Sequence, residues 1–230
     1  MAVYRLSQSY SFPNPESAEP SGLLAVGGDL HPERLLRAYA TGIFPFPSEE
    51  WLPVTWYSPD PRMVLRPEER RLTKSMRKTM RNGRFTMKVD TEFEQVIDAC
   101  RNTRRHTWIT PQMRNAYIAL HHLGFAHSIE TWEDGRLVGG LYGVSIGRAF
   151  FGESMFHLTK DASKAAFLTL CAQTERWKFS MIDCQLHTLH LESLGAYNIP
   201  RAEFLQILDD ARKFPTRIGR WKLDRDLWAQ

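Results

Sequence analysis

Three short strand-like segments follow one another closely in the middle of the chain, and they constrain the fold more than any other feature. The segments are His127–Trp132, Leu137–Val144 and Ala149–Ser154. The turn sequence Glu133-Asp-Gly135 lies between the first two, and Ile146-Gly147 lies just before the third. Short strands joined by tight, glycine-containing turns are typical of antiparallel pairing. The sequence therefore predicts a three-stranded antiparallel meander.

Helical and strand-like segments alternate on both sides of this meander. The predicted elements are helices over about Thr91–Arg101, Pro111–His122, Ala162–Trp177 and Arg201–Lys213, a strand over Met181–Leu186 and a short segment over Glu192–Ala196. From the meander onward, the order β-β-β-α-β-α is that of the acetyltransferase-like (GNAT) fold. We therefore predict an α+β protein in which residues 62–230 form a GNAT-like domain, with a mixed, mainly antiparallel sheet flanked by helices.

Residues 1–61 differ in composition from the rest of the chain. They are rich in Pro, Gly and aromatic residues, which favours turns over long regular elements. Within this part, Asp29 is a candidate N-cap for a short helix that Gly42 would close. We predict a small, irregular N-terminal lobe, with most of its aromatic residues in the core.

Length and composition indicate a globular protein. The chain has 230 residues, of which 43% are hydrophobic. No apolar run reaches the roughly 18 residues needed to span a bilayer, and the N-terminus lacks the apolar stretch of a signal peptide. The three cysteines, Cys100, Cys171 and Cys184, are far apart and form no C-x-x-C pattern. We expect a cytoplasmic protein without a membrane partner, in which these cysteines are reduced, buried thiols.

Basic residues cluster in one short stretch, although the formal net charge is only +4. The cluster comprises Arg66, Arg70, Arg71, Lys74, Arg77, Lys78, Arg81 and Arg84. If Lys74–Met80 is helical, Lys74, Arg77, Lys78 and Arg81 share one face. This cationic stripe is either an ordinary solvated surface or, together with Arg84, a binding site for RNA phosphates.

Polar residues interrupt two apolar strand sequences. Asp183 and Gln185 are two positions apart, so on a regular strand both would point to one face and could line a cleft. Glu153 stands in the segment Phe151-Gly-Glu-Ser-Met-Phe156, where an acid needs a partner or a cleft. The alternatives are structural hydrogen bonding for the Asp-x-Gln pair and an ion pair of Glu153 with Lys160 or Lys164.

These segments, together with Trp108-Ile-Thr110 and Gly42-Ile-Phe-Pro45, resemble the leucyl/phenylalanyl-tRNA–protein transferase family over nearly the whole chain. The resemblance implies a monomeric, cytoplasmic aminoacyltransferase. Its donor would be aminoacyl-tRNA carrying Leu or Phe, with Met left open. Its acceptor would be the α-amine of a protein that begins with Arg or Lys, and the modified protein would enter N-end-rule degradation.

The resemblance also implies roles for individual residues. Asp183 and Gln185 match the catalytic pair, in which Gln185 accepts a hydrogen bond from the attacking amine and Asp183 polarises or orients Gln185. Because a neutral amide is a very weak base, we interpret Gln185 as a positioning group and leave the proton acceptor open. Glu153 matches the acceptor-peptide site, where a carboxylate holds the positively charged end of the substrate.

Two further groups of residues are implied by the resemblance. The amino-acid pocket corresponds to Leu141, Phe150, Met155, Leu170 and Ile182, which without the resemblance would be interpreted as core. The site for the terminal adenosine of tRNA corresponds to Trp108, Phe46, Tyr39 and Tyr117, although both tyrosines could equally serve packing. Phe46 stands where the family ordinarily has Trp, so it can stack but lacks the indole N–H donor.

No cofactor is expected. The segment between the meander and the next helix, 156–164, contains no glycine, whereas an acetyl-CoA enzyme of this fold needs a glycine-rich turn for the pyrophosphate. The histidines show no metal-ligand spacing. The competing hypotheses are an acetyl-CoA-dependent N-acyltransferase, which the element order supports, and a non-catalytic RNA-binding module.

Overall fold

The computed structural model describes residues 3–46, 53–103 and 107–228. Up to Tyr57 it contains a four-stranded sheet with the strand order β1-β2-β4-β3. These strands are β1 Tyr4–Leu6, β2 Leu23–Gly27, β3 Phe44–Pro45 and β4 Thr55–Tyr57. Helix α1, Pro32–Ala40, connects β2 to β3. The lobe that was expected to be irregular is thus built on a small sheet.

Helix α1 is capped by His31 and not by Asp29. The ring of His31 accepts a hydrogen bond from the backbone N–H of Glu33 at 3.3 Å. Asp29 instead accepts from the backbone N–H of His31 at 2.9 Å and from Nε–H of the buried Arg34 at 3.1 Å. The predicted N-cap was therefore wrong, because Asp29 stabilises the turn before the helix. Gly42 follows the helix with φ +77°, a conformation that glycine adopts without strain.

The rest of the described chain forms a seven-stranded sheet in the order β11-β5-β10-β9-β8-β7-β6. Its strands are β5 Arg62–Leu65, β6 Thr86–Val89, β7 Ala126–Glu133, β8 Arg136–Ile146, β9 Ala149–His157, β10 Met181–Gln185 and β11 Tyr197–Ile199. Neighbouring strands are antiparallel except for β9 and β10, which are parallel. The predicted meander, β7-β8-β9, and the mixed, mainly antiparallel sheet are confirmed.

Six helices accompany this sheet within the described ranges. They are α2 Lys74–Arg81, α3 Phe93–Asn102, α4 Pro111–His122, α5 Ala162–Arg176, α6 Leu189–Ser193 and α7 Arg201–Arg212. The helices predicted around the meander are confirmed to within two residues. The sequence did not predict β5, β6 and β11, which are only three or four residues long. No described helix combines the length and the apolar character needed to cross a membrane.

Helix α5 provides the crossover between the parallel strands β9 and β10. Parallel neighbours need such a connection, because the chain must return to the same end of the sheet. Most of α5 is buried, since one side contacts the sheet and the other contacts Met76 and Met80 of α2. A Cβ atom at Gly139 of β8 would lie only 2.6 Å from the Cβ of Ala162, so a glycine is needed for this close approach. The division into domains at residues 61 and 62 stays a prediction.

Candidate active site

A cavity opens where β9 and β10 separate. Met181–Asp183 pair with Ala149–Phe151, and the pairing ends there. In β9, the register against β8 shifts so that Glu153 is an extra residue, a β-bulge. In β10, the register against β5 shifts before Gln185, which has φ +63°. The two irregular strand ends leave a cavity of about 380 Å³ between them.

The inner part of this cavity is apolar. All five residues predicted for the amino-acid pocket line it, and so does Phe167: the set is Leu141, Phe150, Met155, Phe167, Leu170 and Ile182. Except for the half-buried Met155, none of them is more than 3% exposed. The residues thus lie together at the wall of the cavity, where they also belong to or pack against one hydrophobic core cluster, and their role as an amino-acid pocket stays a prediction.

Two aromatic rings lie at the wall of the cavity. Phe46 comes from the N-terminal lobe and Trp108 from the segment before α4. Their rings stack on each other, with centroids 5.4 Å apart and planes inclined by 27°. Phe46 also makes an edge contact with Tyr57 at 6.2 Å. The site is therefore formed by both parts of the chain.

Glu153 lines the same cavity and accepts three hydrogen bonds. The hydroxyl of Tyr39 donates to its Oε1 at 2.7 Å, and the hydroxyl of Tyr117 donates to its Oε2 at 2.7 Å. Nε2 of Gln185 donates to Oε1 at 2.8 Å. The alternative of an ion pair with Lys160 or Lys164 is wrong, because the described partners of the carboxylate are two hydroxyls and an amide.

The environment of Glu153 favours its neutral form. Burial raises the pKa of Glu153 from 4.5 to about 7, against the opposing effect of its three hydrogen bonds, and the nearby negative charge of Asp183 adds to the rise. Burial and the charge of Glu153 also raise the pKa of Tyr39 and Tyr117 well above the ordinary value. Both hydroxyls therefore stay protonated, while Glu153 can gain or lose a proton near neutral pH.

The placement of Tyr39 and Tyr117 favours the packing alternative over a stacking contact with the terminal adenosine, whose site stays a prediction. Both rings are fully buried and neither lines the cavity. Stacking on a nucleobase needs an exposed ring face, and in this structure these tyrosines have none. Their hydroxyls contact Glu153, and the ring of Tyr117 packs edge-on against Tyr142 at the cavity wall.

Asp183 lies behind the cavity wall and forms a buried ion pair with Arg62. The guanidinium donates from Nε to Oδ1 at 2.9 Å and from Nη2 to Oδ2 at 2.6 Å, and both side chains have no exposed surface. Nη1 of Arg62 donates to the carbonyl oxygen of Gly42 at 3.2 Å. The guanidinium lies 4.8 Å from the ring centre of Phe44 and 4.4 Å from that of Phe204.

Asp183 and Gln185 do not line one cleft face together, as regular alternation predicts. Gln185 lines the cavity, whereas Asp183 does not. The register shift between them is the physical reason, because it interrupts the twofold repeat of the strand. Oδ1 of Asp183 accepts the backbone N–H of Gln185 at 2.9 Å. Asp183 thus orients Gln185 through the main chain.

Arg62 is the main residue of the site that the sequence did not suggest. It begins the otherwise apolar strand Arg62-Met-Val-Leu65, and an arginine in such a setting signals a buried anionic partner. The partner could not be chosen from sequence, because Asp183 is 121 positions away. Arg62 thereby ties β5 to β10 through Asp183.

The predicted phosphate site is located on α2. Lys74, Arg77, Lys78 and Arg81 are exposed on this helix. They surround a shallow depression that Asn82 also lines. Arg84 does not share this arrangement, because its Nε donates to Oε1 of Glu133 at 2.6 Å. The spacing on the helix is therefore as predicted, whereas Arg84 forms a partly exposed ion pair with Glu133, and its assignment to the phosphate site stays a prediction.

No metal cluster and no disulfide is found in the described ranges. No three His, Cys, Asp or Glu side chains lie close enough together to hold a metal ion. Cys100 and Cys171 are buried, Cys184 is half-buried at the cavity, and none of these three takes part in a disulfide.

Comparison with known proteins identifies the family. A family model described as leucyl/phenylalanyl-tRNA protein transferase matches residues 64–209, and one for the N-terminal domain of that enzyme matches residues 28–60. The leucyl/phenylalanyl-tRNA–protein transferase of Anaeromyxobacter sp. (strain Fw109-5) is 54% identical over 228 residues, covering 97% of each chain. That of Myxococcus xanthus (strain DK1622) is 53% identical over 227 residues, covering 96% of this chain and 97% of the other. The chain therefore belongs to the leucyl/phenylalanyl-tRNA protein transferase family.

Proposed function

We propose that this protein transfers Leu or Phe from aminoacyl-tRNA to the α-amine of a protein with N-terminal Arg or Lys. One observation carries the proposal: an apolar cavity is bordered by a carboxylate and an amide, Glu153 and Gln185, at the point where β9 and β10 separate. An acyl group with an apolar side chain fits the apolar cavity. The acceptor amine, which must be oriented and must lose a proton, fits beside Glu153 and Gln185.

The apolar part of the cavity selects the donor. Burial of a Leu or Phe side chain contributes roughly 1.5–3 kcal/mol, and a charged or strongly polar side chain would lose its hydration there. Leu141, Phe150 and Leu170 would contact this side chain, and the flexible Met155 can adjust to either shape. The terminal adenosine would stack on Trp108 or Phe46, which contributes roughly 1–3 kcal/mol per base.

The reaction needs alignment more than activation, because an aminoacyl ester is already a reactive acyl donor. The nitrogen lone pair of the acceptor attacks the ester carbonyl carbon. The C–N bond forms and the nitrogen loses a proton, while the C–O bond to the ribose breaks and the ribose oxygen leaves with the electron pair and takes up a proton. Nε2 of Gln185 is directed at Glu153, so its carbonyl oxygen can accept an N–H of the incoming amine.

The acceptor is attracted by charge. Glu153 is the acidic residue among the described residues that line the cavity, so it is the group that meets a positively charged N-terminus there. The proposed consequence of the transfer is N-end-rule degradation of the modified protein. We further propose that the enzyme works as a cytoplasmic monomer.

The body of the tRNA would bind at α2. Four exposed cations on one short helix gain free energy by displacing counterions from phosphates. The buried Met76 and Met80 fix this helix against α5, so the cations are held on a rigid element.

One assay tests donor, acceptor and bond type together. Radiolabelled Leu-tRNA is incubated with the protein and a peptide that begins with Arg, and in parallel with the same peptide acetylated at its N-terminus. We expect label on the free peptide alone. Binding of the tRNA without release of the amino acid would instead identify a non-catalytic RNA-binding module.

Neutralising the cationic stripe should weaken tRNA binding selectively. With Lys74, Arg77, Lys78 and Arg81 all changed to Gln, we expect the slope of log affinity against log salt to fall in magnitude by about 3. Transfer from a small aminoacyl-adenosine donor should change little. The matched control is the double variant Arg212→Gln and Lys213→Gln on α7, whose cations are paired with Asp209 and Asp210. Equal losses with tRNA and with the small donor would show that the stripe supports the fold instead.

Narrowing the cavity should change donor preference. Leu170→Trp adds a ring to a closely packed wall, so Phe transfer should fall about 10-fold more than Leu transfer, in line with roughly 1–3 kcal/mol of overpacking. The ratio of the two rates is measured together with the melting temperature. Leu168→Trp is the control, because Leu168 faces α2 on the other side of α5. An unchanged ratio in Leu170→Trp, with a lowered melting temperature, would remove Leu170 from the pocket.

A further inference from the structure

Three oxygen-bearing groups at the cavity form a closed hydrogen-bonded ring. The carboxylate of Glu153 accepts from the hydroxyl of Tyr39 on one oxygen and from the hydroxyl of Tyr117 on the other. The two hydroxyls are also hydrogen-bonded to each other. Each of the three groups therefore contacts the other two, and the groups come from β9, α1 and α4.

The number of protons in this ring depends on the state of Glu153. When Glu153 is ionised, the two hydroxyl protons must serve three contacts, and the contact between Tyr39 and Tyr117 is left without a donor. When Oε2 is protonated, it donates to Tyr117, Tyr117 donates to Tyr39, and Tyr39 donates to Oε1. All three contacts then have one proton each, so the ring is built to take up one proton and remain fully hydrogen-bonded.

The ring can be reached from the cavity. Glu153 is half-buried and lines the cavity, while the two tyrosines lie behind it. Its Oε1 accepts two hydrogen bonds and its Oε2 only one, so an acceptor position remains on Oε2. Two other polar groups near the cavity are less able to accept a proton from a substrate. Asp183 is fully buried in its ion pair with Arg62, and the amide of Gln185 is a very weak base.

We infer that Glu153, held by Tyr39 and Tyr117, is the proton acceptor of the transfer reaction. This inference rests on the proposed function. When the acceptor nitrogen has bonded to the carbonyl carbon, Oε2 of Glu153 takes the proton that the nitrogen loses. The same proton then passes to the ribose oxygen as its bond to the carbonyl carbon breaks, so Glu153 is ionised again at the end of the cycle.

The groups that face Glu153 are consistent with this role. The titratable or charged ones on the elements around it are Tyr39 of α1, Tyr117 of α4, Tyr142 of β8, Asp183 and Cys184 of β10, Arg62 of β5 and His190 of α6. Arg62 is committed to Asp183. Burial raises the pKa of Glu153 to about 7, which suits a base that works near neutral pH.

The pH dependence of transfer tests the assignment. Single-turnover rates at saturating donor and peptide are measured from pH 5.5 to 9. Glu153→Gln should lower the rate about 100-fold or more at pH 8 and remove the acid limb that belongs to Glu153. Tyr117→Phe removes a donor that stabilises the carboxylate, so the acid limb should move to higher pH by about one unit or more. Protonation of the acceptor amine also lowers the rate at low pH, and this effect is the same in every variant.

Matched variants distinguish a proton site from a purely structural ring. Tyr197→Phe removes a hydroxyl on β11, outside the cavity, and should leave the profile unchanged. A rate that falls equally at all pH values in Tyr117→Phe would mean that the ring has only a structural role and would overturn the inference. A limb that persists in Glu153→Gln but disappears in His190→Gln would assign the proton to His190 and would also overturn it.

A measurement without substrate separates this inference from the proposed function. A pKa raised in the folded state means that folding takes up a proton at pH values between the unfolded and folded pKa. On lowering the pH from 7 to 5, the unfolding constant of the wild type should therefore fall about tenfold per pH unit relative to Glu153→Gln. If this slope appears but no peptide is ever labelled, the proposed function fails while the proton site stands. If no slope appears, the proton site itself is refuted.

Discussion

Arg62→Ala is expected to destabilise the protein by about 3–5 kcal/mol and to abolish transfer. The variant leaves the carboxylate of Asp183 in the interior without its cation, and an unpaired buried charge costs this much. The carbonyl of Gly42 also loses its donor. Transfer is lost because Asp183 no longer fixes the backbone of Gln185. Urea unfolding at pH 7, combined with the transfer assay, measures both effects.

Two further variants test whether the effect of Arg62→Ala comes from the loss of the buried ion pair. Arg176→Ala removes an arginine that is paired with Asp224 and Asp226 near the surface, where solvent screens the pairs, and it should leave the stability nearly unchanged. The double variant Arg62→Met with Asp183→Leu removes both buried charges, so it should regain much of the stability without regaining transfer. If the free energy of unfolding of Arg62→Ala lies within about 1 kcal/mol of the wild-type value, the ion pair between Arg62 and Asp183 does not stabilise the site.

Gln185→Ala is expected to lower single-turnover transfer about 100-fold or more while the affinity for charged tRNA stays unchanged. The amide lies beside Glu153 and has a carbonyl oxygen available for the amine, so its loss removes alignment in the transition state. A loss of this kind appears in kcat and not in donor binding. His187→Ala is the control, because His187 is exposed just beyond β10 and is paired with Glu192. Near-wild-type transfer by Gln185→Ala at saturating donor would refute the catalytic assignment.

Local patterns in the sequence were sufficient for most elements of the larger sheet. Turn residues at Glu133-Asp-Gly135 locate the first hairpin, and Pro111 marks the start of α4. The helical spacing of Lys74, Arg77 and Lys78 correctly predicts that they share an exposed face. Such signals depend on neighbours within a few positions, which is why they could be interpreted without a structure.

The geometry of the site depends on contacts that no local pattern contains. Tyr39 and Glu153 are 114 positions apart, and a sequence cannot show that their side chains meet. The register shift of β10 against β5 and the positive φ of Gln185 break the strand repeat from which the shared face of Asp183 and Gln185 was predicted. The ion pair of Arg84 with Glu133 could not be predicted for the same reason, because the two residues are 49 positions apart.

The contacts of Arg62 have a consequence for how substrates enter and leave. One guanidinium joins the carbonyl of Gly42 and the ring of Phe44 from the N-terminal lobe to Asp183 on β10 and Phe204 on α7. A hinge motion that pulled the lobes apart would break the contacts of Arg62 with Gly42 and Phe44 and would open the buried Arg62–Asp183 pair to water. Exchange of a large RNA substrate is therefore expected without lobe opening. The rings of Phe46 and Trp108 stack on each other at the wall of the cavity, so we expect an entering base to exchange one aromatic contact for another there.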